Sequence, residues 1–354
     1  MDRFQDLLHF FVRRATSHTM RLSQAGSLVL VAAVSGLGLR WLPDELSITS
    51  GEFSLQVGML PDMPMWVSGV LLAVGVLLHA AALVARHAKR RKVICLQVSG
   101  LRSLPRRSIS QDASWRLLGW RDRWHIDLRD HLVDGKLHQP ELVVHRIAHV
   151  QQSLRERAEG FESGDVDLVV GGLAPVPLLM LLGYQLDDEF PLHIMDWDRS
   201  KERWFEPRRG GDALAIATEG LDEIKEGTRE AAVSLSVSYG IRPEDVARQI
   251  GDLPHVRIHM PHTSAKWRDQ QEQIAQTWFD ALKALQARGV DRVHLFVAVP
   301  ASLAIQLGRR YDRRNLPSAR VYQYDRDTAL PYPWSLELPR PGEAPIVHHH
   351  SGGG

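Results

Sequence analysis

Two apolar stretches dominate the first quarter of the chain. Residues 65–85 carry no formal charge, and as a helix rising about 1.5 Å per residue they reach roughly 30 Å, one hydrocarbon core. The stretch 27–42 is shorter. Together they predict two membrane-spanning helices, at about 25–42 and 65–85, paired as a hairpin within residues 25–92. Ala32 and Gly36 on one helix, and Gly69 and Ala73 on the other, have the small-residue spacing that lets helices approach closely. That spacing serves packing within one hairpin or contacts between protomers. Ahead of the hairpin, within residues 1–24, Phe4, Leu7, Leu8 and Phe11 recur at helical spacing with polar residues elsewhere on the wheel. Such an amphipathic helix lies on the inner leaflet, or packs on the soluble domain or on a sister chain.

Beyond residue 92 the periodicity changes. Apolar runs at 93–98, 125–128, 166–170, 192–195, 213–217, 256–259, 293–299 and 319–322 read as strands, with amphipathic stretches such as 142–157 and 270–286 between them. Strands alternating with helices predict an α/β domain built on parallel sheets with crossover helices. An internal repeat sharpens this. Gly164 leads through an apolar strand to Ala174-Pro175 and a helix ending near Gly183, and Gly289 leads through another to Val299-Pro300 and a helix ending near Gly308. Each copy continues into a further strand closed by a polar cluster, Asp196-Trp197-Asp198-Arg199 or Tyr324-Asp325-Arg326. Two fused Rossmann-like halves, at 93–211 and 212–338, are the economical reading. The last segment, 339–354, rich in His and Gly, is expected to be a flexible tail without a role.

Charge orients the hairpin. The connection between its helices holds Asp44, Glu45, Glu52 and Asp62 and no Lys or Arg, whereas Arg13, Arg14 and Arg21 precede it and Arg86, Lys89, Arg90, Arg91 and Lys92 follow it. Lys/Arg bias in short loops sets topology, so a multi-pass inner-membrane protein with both termini and the soluble domain in the cytoplasm is expected. Trp41 and Trp66 then fall at the outer interface, where Arg40 can snorkel to headgroups. His79 is the sole ionisable group of the second span, a functional candidate by its depth or a side chain reaching for water. The 354 residues carry a net charge of +1, with the basic excess in the membrane part, which argues against duplex nucleic acid as a partner. A single cysteine, Cys95, excludes an intrachain disulfide and suits a reducing compartment. The polar lead is too long for a secretory signal.

In open α/β sheets, ligands sit beyond the carboxyl ends of strands near helix N-termini. The candidate turns are Gly171, Gly172 and Pro175 in the first half and Pro300, Ala301 and Ser302 in the second. Proline at these positions either starts a helix and nothing more or leaves outward-pointing amides for a phosphate. Lys266, Trp267 and Arg268 combine an aromatic face with two cations, the composition a nucleotide pocket wants, or equally a tryptophan packed on the surface between solvated charges. Trp197 and Tyr324 stand at corresponding strand ends, and Thr218 with Glu219, and Arg129 with Asp130, would line the same rim. No Gly-rich dinucleotide fingerprint, Walker A loop or nucleophile elbow is present. His145 and His149 have the spacing of helical metal ligands but lack a zincin glutamate and a third ligand, so no metal, no catalytic residue and no enzymatic activity are expected.

The segment from Val293-His294-Leu295-Phe296 through Val299-Pro300, Ala304-Ile305-Gln306-Leu307-Gly308-Arg309, Val321-Tyr322-Gln323-Tyr324-Asp325 and Tyr332-Pro333 resembles the SAVED domain. The resemblance is strongest over 212–338 and extends over 93–211. It implies two CARF-like halves and a cyclic di- or trinucleotide as ligand rather than a cofactor. With two spans in front, the chain resembles membrane effectors of CBASS antiphage defence. Such an effector senses a cyclic oligonucleotide, self-associates and disrupts the lipid bilayer to cause abortive infection. A type III CRISPR ancillary effector, a membrane-tethered nucleotide hydrolase and a constitutive scaffold remain alternatives at this point.

Overall fold

The computed structural model describes residues 27, 29, 46–50, 53–57, 65–100, 107–114, 117, 119–133, 136–186, 188–260, 265–312, 314–326, 330–340 and 343–350. The chain divides into two compact units. One is Met1–Lys92 with Trp115–Trp120; the other is Val93–Ser114 with Arg121–Gly354.

In the first unit, β1 (Leu46–Ser50) and β2 (Phe53–Val57) pair antiparallel from Leu46↔Val57 to Ser50↔Phe53. The connection expected to be a plain loop is therefore a β-hairpin. Its cause is legible in hindsight, since Leu46, Ile48, Phe53, Leu55 and Val57 alternate with polar residues at the period of a strand. Helix α1 (Met65–Arg90) contains a segment, Gly69–Arg86, long and apolar enough to cross a membrane. Gly75, Ala82 and Ala85 form its covered stripe, whereas Gly69 and Ala73 lie on the open face, and a Cβ at Gly69 would meet nothing. The small-residue pair expected to pack is thus not the one covered. Ser27 and Val29 are helical; the rest of the expected first span, and the amphipathic segment 1–24, lie outside the described residues.

The second unit carries the repeat. Its first sheet uses β3 (Lys92–Ser99) and, after the one-turn α2 (Ile109–Asp112), β4 (Trp120–Asp127). A small hairpin of β5 (Leu132–Val133) and β6 (Lys136–Leu137) follows. The amphipathic stretch expected as one helix is two, α3 (Pro140–Ala148) and α4 (Val150–Ala158), parted at His149. There the imidazole turns back, donating from Nδ1 to the His145 carbonyl at 2.8 Å and stacking on the His145 ring at 3.9 Å. Then come β7 (Val166–Leu173), α5 (Val176–Gln185) and β8 (Leu192–Ile194), giving a sheet ordered β4-β3-β7-β8. A hairpin of β9 (Asp196–Asp198) and β10 (Arg203–Phe205) closes this half.

The second half opens on an antiparallel edge strand, β11 (Ala217–Glu219), rather than the strand expected at 213–217. Its central strand, β12 (Glu230–Ser236), escaped the sequence reading because small and serine residues dilute its apolar signal. The elements α6 (Pro243–Ile250), β13 (His255–His259), α7 (Arg268–Ala287), β14 (Arg292–Ala298), α8 (Ala301–Arg310) and β15 (Ser318–Gln323) follow. Strands β13-β12-β14-β15 are mutually parallel and repeat the order β4-β3-β7-β8. The sheet continues through antiparallel β16 (Trp334–Glu337) and β17 (Ile346–His349). The terminal segment is therefore a strand and not a free tail. Ile346 and Val347 suit a pleated surface, and pairing them from Glu337↔Ile346 to Trp334↔His349 covers an edge that β16 would otherwise expose.

The two halves meet along α5 and α8, each ten residues long. Helix α5 is apolar nearly all round, as a helix enclosed on every side must be, and Pro177 through Gly183 are all buried. At the crossing, a Cβ on Gly183 would overlap the carbonyl of Ile305, and a Cβ on Gly308 would overlap the carbonyl of Met180. A mid-helix glycine costs about 0.5–1 kcal/mol relative to alanine, so the pair is held by close backbone approach. Gly308→Ala is expected to cost about 1–3 kcal/mol, as overpacking does, and to lower the melting temperature of the full chain in detergent by several degrees. Alanine at solvent-open Gly227 (φ +84°) strains only a turn and leaves this interface alone, so a smaller loss there than at Gly308 is the comparison to make.

Candidate functional site

The shared strand order places a topological switch in each half, between β3 and β7 and between β12 and β14. Crevices for ligands form beyond the carboxyl ends of strands at such points. In the second half, the turn after β12 folds over the end of β14, since the amides of Val237 and Ser238 both donate to the Ala298 carbonyl, at 3.0 and 2.9 Å. The Ile241 amide donates back to Ser236 Oγ at 3.1 Å and closes the turn. Tyr239 is thereby held out, 54% exposed. Tyr324, one residue past β15 and 38% exposed, sits edge-on to buried Tyr332 with ring centroids 5.7 Å apart. Burial of part of the ring and nearby Tyr324 push the Tyr239 phenol above its ordinary pKa, while Arg199 and Arg326 pull it back. Tyr324, Arg199 and Arg326 therefore all lie within electrostatic reach of the Tyr239 phenol. Arg199 comes from the β9–β10 hairpin of the first half.

The same hairpin carries Trp197, which is half-buried and meets Trp204 edge-on at 5.4 Å. Its neighbour Asp198 is held below the usual carboxylate range, first by the Ser200 hydroxyl and also by Lys266. Lys266 and Trp197 thus belong to one region, as the sequence suggested. Trp267, 44% exposed, packs its indole over Gly210 and Gly211 and bridges to Arg208. Residues 261–264, just before it, lie outside the described residues.

At the helix N-termini a side chain of each half reaches across to the other, capping an amide of α5 and meeting a side-chain hydroxyl on α8. Gln323 Oε1 accepts from the Val176 amide of α5 at 3.1 Å, and Asp196 Oδ2 accepts from Ser302 Oγ of α8 at 2.9 Å. Ser302 is fully buried and also accepts from Gln271 Nε2 at 2.9 Å. Burial raises the Asp196 pKa, against the hydrogen bonds from Trp197 and Ser302. A phosphate reaching Ser302 would have to displace this carboxylate. Pro300 and Ala301 stay half-exposed beside it, while Pro175 is buried.

The other expected site residues have partners within the protein or lie apart from this region. Gly171 and Gly172 are interior, and the spaces beside them are filled by Ile109 and Trp204 and by Leu179, so the structure gives them packing work. Arg268 donates to Glu206, Glu206 pairs with His193 Nδ1 at 3.1 Å, and His193 Nε2 lies 3.8 Å from Asp167. Its guanidinium is therefore tied to a carboxylate. Thr218 is on the edge strand β11, three strands from β14 or about 14 Å, with Glu219 beside it paired to Arg257 and His259. In the first half Arg129 pairs with Asp127, whose carboxyl it holds down at about 2. The sequence reading missed Tyr239, Asp196 as the partner of Ser302, and Gln323. The alternation Val233-Ser234-Leu235-Ser236-Val237 ahead of Tyr239-Gly240 was the available signal.

A sequence model described as the SMODS-associated and fused to various effectors sensor domain, SAVED, matches residues 147–338, more than half of the chain. The chain belongs to the SAVED family. A second, the SAVED-fused 2TM effector domain, matches residues 1–144, so a sensor and a transmembrane effector are joined in one polypeptide and the protein is a membrane protein. Among solved structures, it is similar to the Acinetobacter baumannii Cap4 SAVED/CARF-domain containing receptor with the cyclic trinucleotide 2′3′3′-cAAA, at 14% identity and a TM-score of 0.47 over 76% of this chain and 58% of that one. The same receptor with 3′3′3′-cAAA gives 12% and 0.48 over the same shares. The Moraxella osloensis Cap4 receptor gives 11% and 0.46 over 77% and 59%. This chain thus spans less than two thirds of those receptors. No curated protein is matched.

Within the SAVED domain the ionic chain through His193 has a pH signature. The carboxylates of Asp167 first and Glu206 second raise the His193 pKa to about 9. A raised folded-state pKa stabilises fully below the unfolded value, near 6.5, and the stabilisation is lost as pH rises through about 9. Melting temperature should fall between pH 7 and 9.5. His193→Gln should flatten that slope and cost about 1–2 kcal/mol at pH 7, the full shift being reduced because the ring is partly open to water.

Proposed function

We propose that this SAVED protein senses a cyclic di- or trinucleotide in the crevice at the carboxyl ends of its parallel strands. The same reading makes it a membrane effector of CBASS-type antiphage defence. Tyr239, Tyr324, Trp197 and Trp267 supply faces on which bases stack, while Arg199, Lys266 and Arg326 meet phosphates alongside the half-exposed Pro300-Ala301 turn of α8. Ligand entering at Ser302 exchanges a phosphate for the Asp196 carboxylate, which moves the β9–β10 hairpin of one half relative to α8 of the other. The receptor then self-associates head to tail, since a heterologous contact propagates into a ring or filament. Assembly concentrates the membrane hairpins, both termini lying in the cytoplasm, and the bilayer is breached. No bond is made or broken by the protein; it acts as a switch. What supports the reading is the meeting of exposed aromatics and guanidiniums from both halves at a switch point, in a sensor family fused to a transmembrane effector.

Binding stabilises the folded state in proportion to ligand excess over Kd, so a thermal-shift panel on the full chain in detergent is the direct test. A cyclic dinucleotide or trinucleotide, 2′3′3′-cAAA among them, should raise the melting temperature by several degrees. Tyr239→Ala should weaken that ligand about tenfold or more, the worth of one stacked base, and Lys266→Glu should weaken it further, whereas Arg229→Ala at the amino end of β12 should leave it unchanged. A panel in which no cyclic nucleotide shifts the wild-type transition would overturn the reading.

A further inference from the structure

Helix α1 contains one ionisable side chain between Met65 and Arg86, His79, and nothing in the sensing scheme uses it. It lies seven residues before Arg86, about 10 Å along the helix and well inside the hydrocarbon if Arg86 sits at the surface. Gly75 and Ala82, four residues before and three after, share its face, and both are covered. The imidazole is itself half-buried, on the packed side of the helix and away from the open face of Gly69 and Ala73. Its Nε2 shares a hydrogen bond with Ser27 Oγ at 3.4 Å, with donor and acceptor set by the tautomer. Its Nδ1 is buried and has no hydrogen-bond partner.

In hydrocarbon, where water is absent, every polar atom must find a partner within protein. The resting hairpin leaves one ring nitrogen without one and gives the other a long bond. Any arrangement that admits water to this depth satisfies both nitrogens and is favoured over the resting one by that difference. A leucine at the same place would reward the dry, closed packing instead.

We propose that His79 is the polar group lining the aqueous path that opens when hairpins assemble, and that Ser27 masks it in the resting hairpin. The inference rests on the reading that assembled hairpins breach the bilayer. The test uses the full-length protein in liposomes loaded with KCl and a small self-quenching dye, challenged with the cyclic di- and trinucleotide panel and followed in parallel by chemical cross-linking. Wild type should cross-link and release its contents. His79→Leu should cross-link as well as wild type but release at least about tenfold more slowly, and His79→Gln, polar and uncharged, should restore release to within about threefold. Release from His79→Leu at the wild-type rate, or failure of His79→Gln to restore it, overturns the role of His79 alone. A wild type that cross-links and never leaks overturns the membrane-breach reading and this inference with it.

Discussion

The crossing of α5 and α8 fixes the geometry of the soluble unit. Each helix presents a glycine to the carbonyl that lies three residues before the other's glycine, Gly183 to Ile305 and Gly308 to Met180. That reciprocity makes the contact a local two-fold, and backbones this close leave almost no freedom to slide. Because both helices begin at the carboxyl ends of their strands, locking their bodies also locks where their N-termini point. The side chains that project across the seam then follow: Gln323 reaches the Val176 amide, and Asp196 reaches Ser302. Two sheets that could have packed in many ways are held in one arrangement by the absence of two methyl groups.

The polar contacts across the seam are of a different kind from the glycine contact. Packing at Gly183 and Gly308 has no alternative state, whereas a buried carboxylate on a serine hydroxyl can be replaced by another anion of similar geometry. Asp196 is strongly desolvated, and its raised pKa records how poorly the site tolerates its charge. The fixed seam therefore sits beside the contact that the proposed ligand would exchange. The Asp167–His193–Glu206–Arg268 chain works on the rigid side of this division, tying β7 and β8 of the first half to the start of α7 in the second. Arg268 thereby shares its charge with Glu206.

How much of this could be read beforehand depends on whether a feature is carried by local pattern or by tertiary placement. The α/β class, the repeat, the glycine ends of α5 and α8 and strands β3, β7, β13, β14 and β15 were legible because apolar runs and prolines mark them directly. Strand β12 was not, since Ala231, Ala232 and two serines lower its apolar signal although it is the buried centre of its sheet. Strand β17 was hidden by the histidines around it. Among the candidate residues, Tyr324 and Lys266 are legible from position and composition. Tyr239 was lost with its strand, and no pattern announces that Arg268 will meet Glu206, because that pairing joins residues far apart in sequence. Gly171 and Gly172 misled for the opposite reason: glycine at a strand end marks close approach without saying whether the neighbour is a ligand or Trp204.

The charge arrangement around the crevice constrains how it can discriminate. A site built to hold phosphates by charge alone would concentrate unpaired cations, yet here Asp196 and Asp198 sit among Arg199, Lys266 and Arg326, and Arg268 is already bound to Glu206. Non-specific binding of polyanions is driven by phosphate neutralisation and is strong where cations dominate. Mixed charge weakens that term for every nucleotide equally, single-stranded RNA and free ATP included. In the proposed scheme selectivity then comes from the aromatic faces, since a ligand whose bases are held at fixed positions by a closed ring meets them without first losing conformational entropy. If the proposed ligand is right, a slightly acidic soluble domain works against binding the abundant linear nucleotides of the cell.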